Sequence, residues 1–161
     1  TNGEERTDNM DKAVLDKIFS DAIEREIEAY EFYLAVSQRV VNPNVKKVFG
    51  ELAQEELGHK ELLTRFKNDP VLLTKIEVPA QDFKIAEATD LPKFDINMKP
   101  ADAIALAMKK EEEAVRFYRG MAAISQDAEV KSQFESLAGM ELGHKNRLEN
   151  VFVGIGYPEV F

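Results

Sequence analysis

The two histidines of the chain each follow a glutamate at a spacing that suits metal binding. His59 lies three residues after Glu56, and His144 lies three residues after Glu141. Residues at positions i and i+3 share one face of a helix, so each pair can reach one ion or two neighbouring ions. The 161 residues include no Cys, which excludes thiolate sites and iron–sulfur clusters. The spacing therefore predicts a metal site made of oxygen and nitrogen ligands.

Two further glutamates occupy positions where a helical repeat calls for an apolar residue. Glu26 and Glu111 each lie on an apolar stripe with the period of an α-helix. A cluster of buried carboxylates would repel and destabilise the fold unless cations neutralised it. Four glutamate anions and two neutral imidazoles around two divalent cations have no net charge. We therefore predict a two-metal site formed by Glu26, Glu56, His59, Glu111, Glu141 and His144.

An internal repeat with an offset of 85 residues supports this prediction. The offset places Glu26 on Glu111 and residues 56–60 on residues 141–145, both of which read Glu-Leu-Gly-His-Lys. Each half is predicted to form an αα-hairpin, and two hairpins build a four-helix bundle. A single Glu-x-x-His pair is a weak signal, but two copies at one offset are a strong one.

Tyr33 and Tyr118 are also equivalent in the repeat, each seven residues after the glutamate of its helix. They are either core aromatics or hydrogen-bond donors to ligands beside the metals. Structural interpretations exist for the other residues as well. The histidines could be hydrogen-bonded core residues, and Glu26 and Glu111 could lie on a solvated helix face.

The helices that must position these residues follow from apolar residues at steps of three or four. Asp21 and Glu24 resemble a capping box near the start of the first helix. Residues 11–19 have an apolar helical rhythm of their own and extend or precede that helix. The four predicted helices span residues 20–40, 45–67, 100–125 and 127–150.

The remaining segments complete a single domain over residues 1–161. The proline-containing connection 68–99 is too long for a simple up-down bundle and is predicted to be a crossover between helices two and three. Residues 1–10 are predicted to be disordered, and residues 151–161 to form a C-terminal tail without a fifth helix.

The composition excludes several classes of partner. A formal net charge of −9 disfavours nucleic acid and anionic membranes, both of which attract clustered Lys and Arg. The apolar runs are too short to cross a bilayer. We predict a cytoplasmic protein.

Residues 26–33 and 55–60, with their later copies, resemble the rubrerythrin branch of the ferritin-like superfamily. The resemblance covers about residues 20–150. It implies a ferritin-like bundle with a non-haem di-iron site, for which manganese or zinc could substitute. It also implies that Glu56 and Glu141 bridge the metals, that Glu26 and Glu111 are terminal ligands, and that His59 and His144 each bind one metal.

Rubrerythrins reduce hydrogen peroxide, so the resemblance implies an oxidoreductase acting on peroxide or O2, and a homodimer. Without Cys, electrons must come from a separate donor such as a rubredoxin-like protein. Rubrerythrins carry an extra Glu one turn after the ligand of the third helix, where this chain has Ala114, which weakens the peroxidase assignment. A ferroxidase, a bundle with structural zinc or manganese, and oxidation of an organic substrate remain alternatives.

Overall fold

The computed structural model describes residues 2–78, 91–95 and 97–154. Over these ranges the chain is all-α, as predicted, and α1 packs against α2 while α4 packs against α5. The two predicted hairpins are therefore present and form a ferritin-like bundle. None of the described helices combines the length and apolarity needed to cross a membrane. The helices are α1 (Asn2–Arg39), α2 (Pro43–Lys67), α3 (Pro70–Leu73), α4 (Pro100–Ala123) and α5 (Ala128–Gly154).

The second helix of each hairpin begins at a capped residue, and the two caps are equivalent in the repeat. The side-chain oxygen of Asn42 accepts hydrogen bonds from the backbone N–H groups of Asn44 and Val45, at 2.9 and 3.2 Å. Asp127, 85 residues later, accepts from Glu129 and Val130 at 3.0 and 3.1 Å. These bonds satisfy backbone donors that have no partner within the helix. The repeat therefore includes the turn inside each hairpin.

The first helix is longer than predicted, and the capping box at Asp21 and Glu24 is wrong. Helix α1 runs without a break from Asn2, so residues 1–10 differ from the predicted disorder wherever the structure describes them. The side chain of Asp21 instead forms a 2.9 Å ion pair with Lys17, one turn earlier on the same helix. Buried Leu15, Ile18 and Phe19 show why the helix continues upstream, since its apolar stripe continues there too.

The described parts of the crossover between α2 and α4 contact the bundle near both ends of the connection. Glu77 donates a backbone hydrogen bond to Ile124, and Gln126 donates one to Lys75, both at 2.8 Å. Farther along, the ring of Phe94 stacks on Phe32 with centroids 3.9 Å apart. The crossover contains only the four-residue helix α3 within its described part, and residues 79–90 and 96 lie outside the described residues.

The last helix also continues past its predicted end at residue 150, because α5 extends to Gly154. Buried Val151 extends its apolar face by one more turn. The rest of the predicted tail, residues 155–161, lies outside the described residues, and so does the prediction that no fifth helix follows.

Among the residues that the structure describes, two apolar clusters form the core, and a polar layer separates them along every long helix. One cluster includes Phe19, Phe66 and Phe134. The other includes Tyr33, Phe49 and Leu148. On each of the four long helices, the predicted metal ligands lie between the residues of one cluster and those of the other. Apolar packing on both sides therefore holds the polar residues at the centre of the bundle.

Candidate metal centre

The structure brings all six predicted ligands together in the interior of the bundle. Each is at most 4% exposed, which excludes a solvated helix face for Glu26 and Glu111. Helices α1 and α4 supply one glutamate each, whereas α2 and α5 each supply a Glu-x-x-His pair one helical turn long. The two hairpins therefore contribute equally to the cluster.

The six side chains form two overlapping groups, each suited to one metal ion. In either group, the potential ligand atoms lie within 4.8 Å of one another. Glu56 and Glu141 belong to both groups, which is the arrangement expected of carboxylates that bridge two ions. The first group is Glu26, Glu56, His59 and Glu141, and the second is Glu56, Glu111, Glu141 and His144.

Each histidine faces the shared glutamate of the opposite hairpin. The Nδ1 atom of His59 lies 2.5 Å from Oε1 of Glu141, and Nδ1 of His144 lies 2.5 Å from Oε1 of Glu56. The two imidazole rings are stacked with centroids 5.7 Å apart and an angle of 12° between their planes. The Nδ1 atoms thus point into the cluster and are the nitrogen ligands that the site offers.

The two tyrosines singled out in the sequence donate hydrogen bonds to the glutamates of α1 and α4. Tyr33 donates a 2.6 Å hydrogen bond to Glu111, and Tyr118 donates a 2.5 Å hydrogen bond to Glu26. Each bond crosses from one hairpin to the other. The tyrosines therefore donate hydrogen bonds to two of the predicted ligands as well as packing in the core.

Burial and mutual repulsion raise the pKa of most carboxylates in the cluster. Burial and the charges of Glu111 and Glu141 raise the pKa of Glu56 to about 8. Burial and neighbouring glutamates also raise the pKa of Glu26 and of Glu141 well above the ordinary range. Burial acts in the same direction on Glu111, but hydrogen bonds with Glu141 and His144 outweigh it and lower the pKa of Glu111.

The surroundings of the two histidines shift their pKa values in opposite directions. Burial and the nearby charge of His144 lower the pKa of His59 to about 4. Burial also disfavours a charged His144, but its hydrogen bonds with Glu111, Glu141 and Glu56 outweigh burial and raise its pKa. Without metal, protons on His144 and on the glutamates supply the positive charge that the cluster needs.

Several buried atoms of the cluster have no hydrogen-bond partner among the described residues. They include one oxygen each of Glu26 and Glu111. Native proteins rarely leave buried polar atoms unsatisfied. Carboxylate oxygens and imidazole nitrogens gathered in one buried cluster are suitable metal ligands. The residues therefore fit two bound cations.

A further pair of residues at the site was not predicted from the sequence. Glu55 accepts a 2.8 Å hydrogen bond from Nε2 of His144 and a 2.9 Å bond from Arg147. Arg147 also contacts Glu51 at 2.5 Å. Charged residues on a glutamate-rich helix surface gave no reason to single these out. The signal in the sequence was a break in the repeat, because Met140 and Leu62 occupy the positions equivalent to Glu55 and Arg147.

The fold and the site define a ferritin-like bundle with a buried carboxylate and histidine cluster that fits a binuclear metal centre. The family model for Rubrerythrin matches residues 17–152. The chain therefore belongs to the rubrerythrin family, which confirms the resemblance seen in the sequence.

Two solved structures are similar over most of the chain. A hypothetical protein from Pyrococcus furiosus is 25% identical with a TM-score of 0.69, and the match covers 91% of this chain and 93% of that one. A protein from Thermotoga maritima, described as a candidate ferritin-like diiron-carboxylate protein, is 16% identical with a TM-score of 0.65. That match covers 86% of this chain and 93% of the Thermotoga chain. The second likeness supports the fold alone. Comparison with curated protein sequences gave no significant match.

Proposed function

We propose that this protein is a di-iron carboxylate oxidoreductase that reduces hydrogen peroxide or O2. The observation that carries the proposal is the pair of overlapping ligand groups that share Glu56 and Glu141. Residues shared in this way would hold two neighbouring ions, which would act together on the two oxygens of one small molecule. A ligand set of four carboxylates and two imidazoles also stabilises the more highly charged Fe³⁺, which favours oxidation of the diferrous form.

The protein residues would hold one iron with Glu26 and His59 and the other with Glu111 and His144, while both shared glutamates bind both ions. When bound, the two iron ions would act as Lewis acids and would supply two electrons, which with two protons reduce peroxide to two waters or O2 to peroxide. Tyr33 and Tyr118 orient the terminal glutamates through hydrogen bonds of 2.6 and 2.5 Å. The surrounding apolar clusters exclude bulk water from the site.

The electrons come from a donor outside these 161 residues, which include no Cys for a rubredoxin-type iron site. A rubredoxin-like protein or a flavoprotein has the required chemistry. Each peroxide reduced to water consumes two electrons and two protons, so the donor restores the diferrous state after each turnover. The cytoplasmic location and the homodimer remain predictions.

The test is anaerobic stopped-flow mixing of the diferrous protein with peroxide and, separately, with O2. We expect oxidation by at least one oxidant, and repeated turnover only when a rubredoxin-like donor and its reductase are present. The matched control is the Glu56→Gln, Glu141→Gln double variant, which keeps the size of both side chains and removes their charge.

Two results would contradict the proposal. A diferrous protein that neither oxidant oxidises would favour a structural site, for which zinc or manganese would serve equally well. Rapid oxidation with iron accumulating beyond two ions per chain would favour a ferroxidase. The absence of a glutamate at Ala114 makes the ferroxidase the alternative to be tested first.

A further inference from the structure

The repeat that builds the metal site is broken immediately outside it. Glu51, Glu55 and Arg147 form a charged network next to His144. The positions equivalent to them at the offset of 85 residues are Ser136, Met140 and Leu62. None of these three side chains carries a charge. The two histidines therefore face different surroundings although their own positions are equivalent.

In the second hairpin, the ring of His144 is hydrogen-bonded to a carboxylate. Its Nε2 atom donates to Glu55 over 2.8 Å, and Arg147 holds the same carboxylate oxygen at 2.9 Å. When His144 binds a metal, this bond keeps the proton of the ring on Nε2 and leaves the lone pair of Nδ1 for the ion. A histidine ligand bonded to a carboxylate in this way is more basic and better oriented towards a metal.

In the first hairpin, no carboxylate of the described residues is hydrogen-bonded to Nε2 of His59. Its Nε2 atom is buried and has no hydrogen-bond partner among the described residues. When Nδ1 of His59 binds a metal, Nε2 must carry the proton of the ring. That buried N–H then stays without an acceptor, which costs free energy.

From this difference we infer that the two metal positions are unequal and fill in order, and that Glu55, held by Arg147, is the positioning residue that makes the His144 position fill first. The first ion is bound by Glu56, Glu111, Glu141 and His144, and the second completes the site with Glu26 and His59. Glu55 touches neither ion and acts only through His144. The inference rests on the proposed two-metal site and is independent of the oxidoreductase activity.

Zn²⁺ is the probe that tests this order, since it is redox-inactive and does not broaden nuclear magnetic resonance signals. Calorimetric titration of the metal-free protein should give two binding steps of different affinity. In protein with ¹⁵N-labelled histidine, the first equivalent of Zn²⁺ should shift Nδ1 of His144, and the second should shift Nδ1 of His59. One substitution assigns the signals, because the chain contains two histidines.

Glu55→Met copies the residue found at the equivalent position of the other half. It should weaken the tighter step about 10- to 100-fold, the usual effect of removing a carboxylate that supports a metal ligand, and leave the weaker step within about threefold. Glu55→Gln keeps an oxygen acceptor and should weaken the tighter step less than Glu55→Met does. Glu55 and Met140 are both partly exposed, so neither position is closely packed.

Met140→Glu is the matched control, since it offers a carboxylate at the position equivalent to Glu55. It should tighten the weaker step and narrow the gap between the two affinities. Equal affinities in the unchanged protein, simultaneous shifts of both histidines, or equal weakening of both steps by Glu55→Met would overturn the inference. A protein that binds Zn²⁺ in this order but fails to react with peroxide and O2 would refute the proposed function alone.

Discussion

Protons and metal ions compete for the same side chains at the centre of the bundle. Burial and repulsion raise the pKa of Glu56 to about 8, and hydrogen bonds with three glutamates raise the pKa of His144. Both groups therefore bind protons more tightly in the folded protein than in the unfolded chain. Such a difference makes the free energy of unfolding depend on pH.

We predict that the metal-free protein loses stability as the pH rises from 6.5 to 8. In this range the folded state binds more protons than the unfolded state, so raising the pH favours unfolding. Glu56 alone should account for about 1 to 2 kcal/mol, given about 1.4 kcal/mol for each unit of pKa difference. His59, with a pKa near 4, is neutral in the folded state throughout this range. Urea unfolding in the presence of a chelator measures the effect.

Glu56→Gln provides the control for this pH dependence. The variant removes one titrating group and nearly conserves the volume of the side chain, so the loss of stability between pH 6.5 and 8 should be smaller. A metal-free protein whose unfolding free energy is constant or increases over this range would show that the cluster does not hold extra protons.

The sequence was sufficient to predict that these six side chains lie together, but not which residues support His144. Glutamate and histidine on an apolar stripe violate the helical pattern, and this violation is visible without a structure. Glu55 and Arg147 lie at partly exposed positions, where charged residues are ordinary. The break in the repeat marks their positions in the sequence, but only their distance from His144 in the structure shows what they contact.

At the scale of the helices, the turns inside the two hairpins decide where α2 and α5 begin. We predict that Asn42→Ala lowers the free energy of unfolding by about 1 kcal/mol, because two backbone N–H groups of α2 lose their acceptor. Asn42→Asp keeps the acceptor and should be close to neutral. Chemical denaturation of the three proteins measures the difference, and an equal loss in both variants would show that the cap bonds are unimportant.

Helix boundaries were predicted well where a cap or a proline marks them and poorly elsewhere. Pro43 and Pro100 begin α2 and α4 close to the predicted positions. The start of α1 was misplaced because Asp21 and Glu24 have the spacing of a capping box. The absence of Gly and Pro from residues 4–42 was the better indicator, since nothing in that stretch stops a helix.

At the scale of the whole molecule, the carboxylate and histidine cluster joins two hairpins that are otherwise linked by the crossover and by side-chain contacts. We predict that two bound ions raise the free energy of unfolding by about 2.7 kcal/mol for each site at a free metal concentration of 100 times its Kd. Removal of the metal with a chelator should reverse the increase. Thermal unfolding followed by circular dichroism, with and without Zn²⁺, measures it.

The double variant Glu56→Ala, Glu141→Ala should lose at least one ion and most of this stabilisation, because both residues belong to both ligand groups. Glu61→Ala is the control, since Glu61 is exposed on α2 and should change neither metal content nor stability. If the double variant retained two ions per chain by elemental analysis, the assignment of the ligands would be wrong.

The presence of both hairpins in one chain has a consequence for how such a site can change. If two identical chains each supplied one hairpin, any single mutation would alter both halves of the site at once, and the two metal positions would have to stay alike. Here a single codon change alters one half only. Glu55 and Met140 already differ at equivalent positions, so a mutation can adjust one proposed metal position while the other is kept.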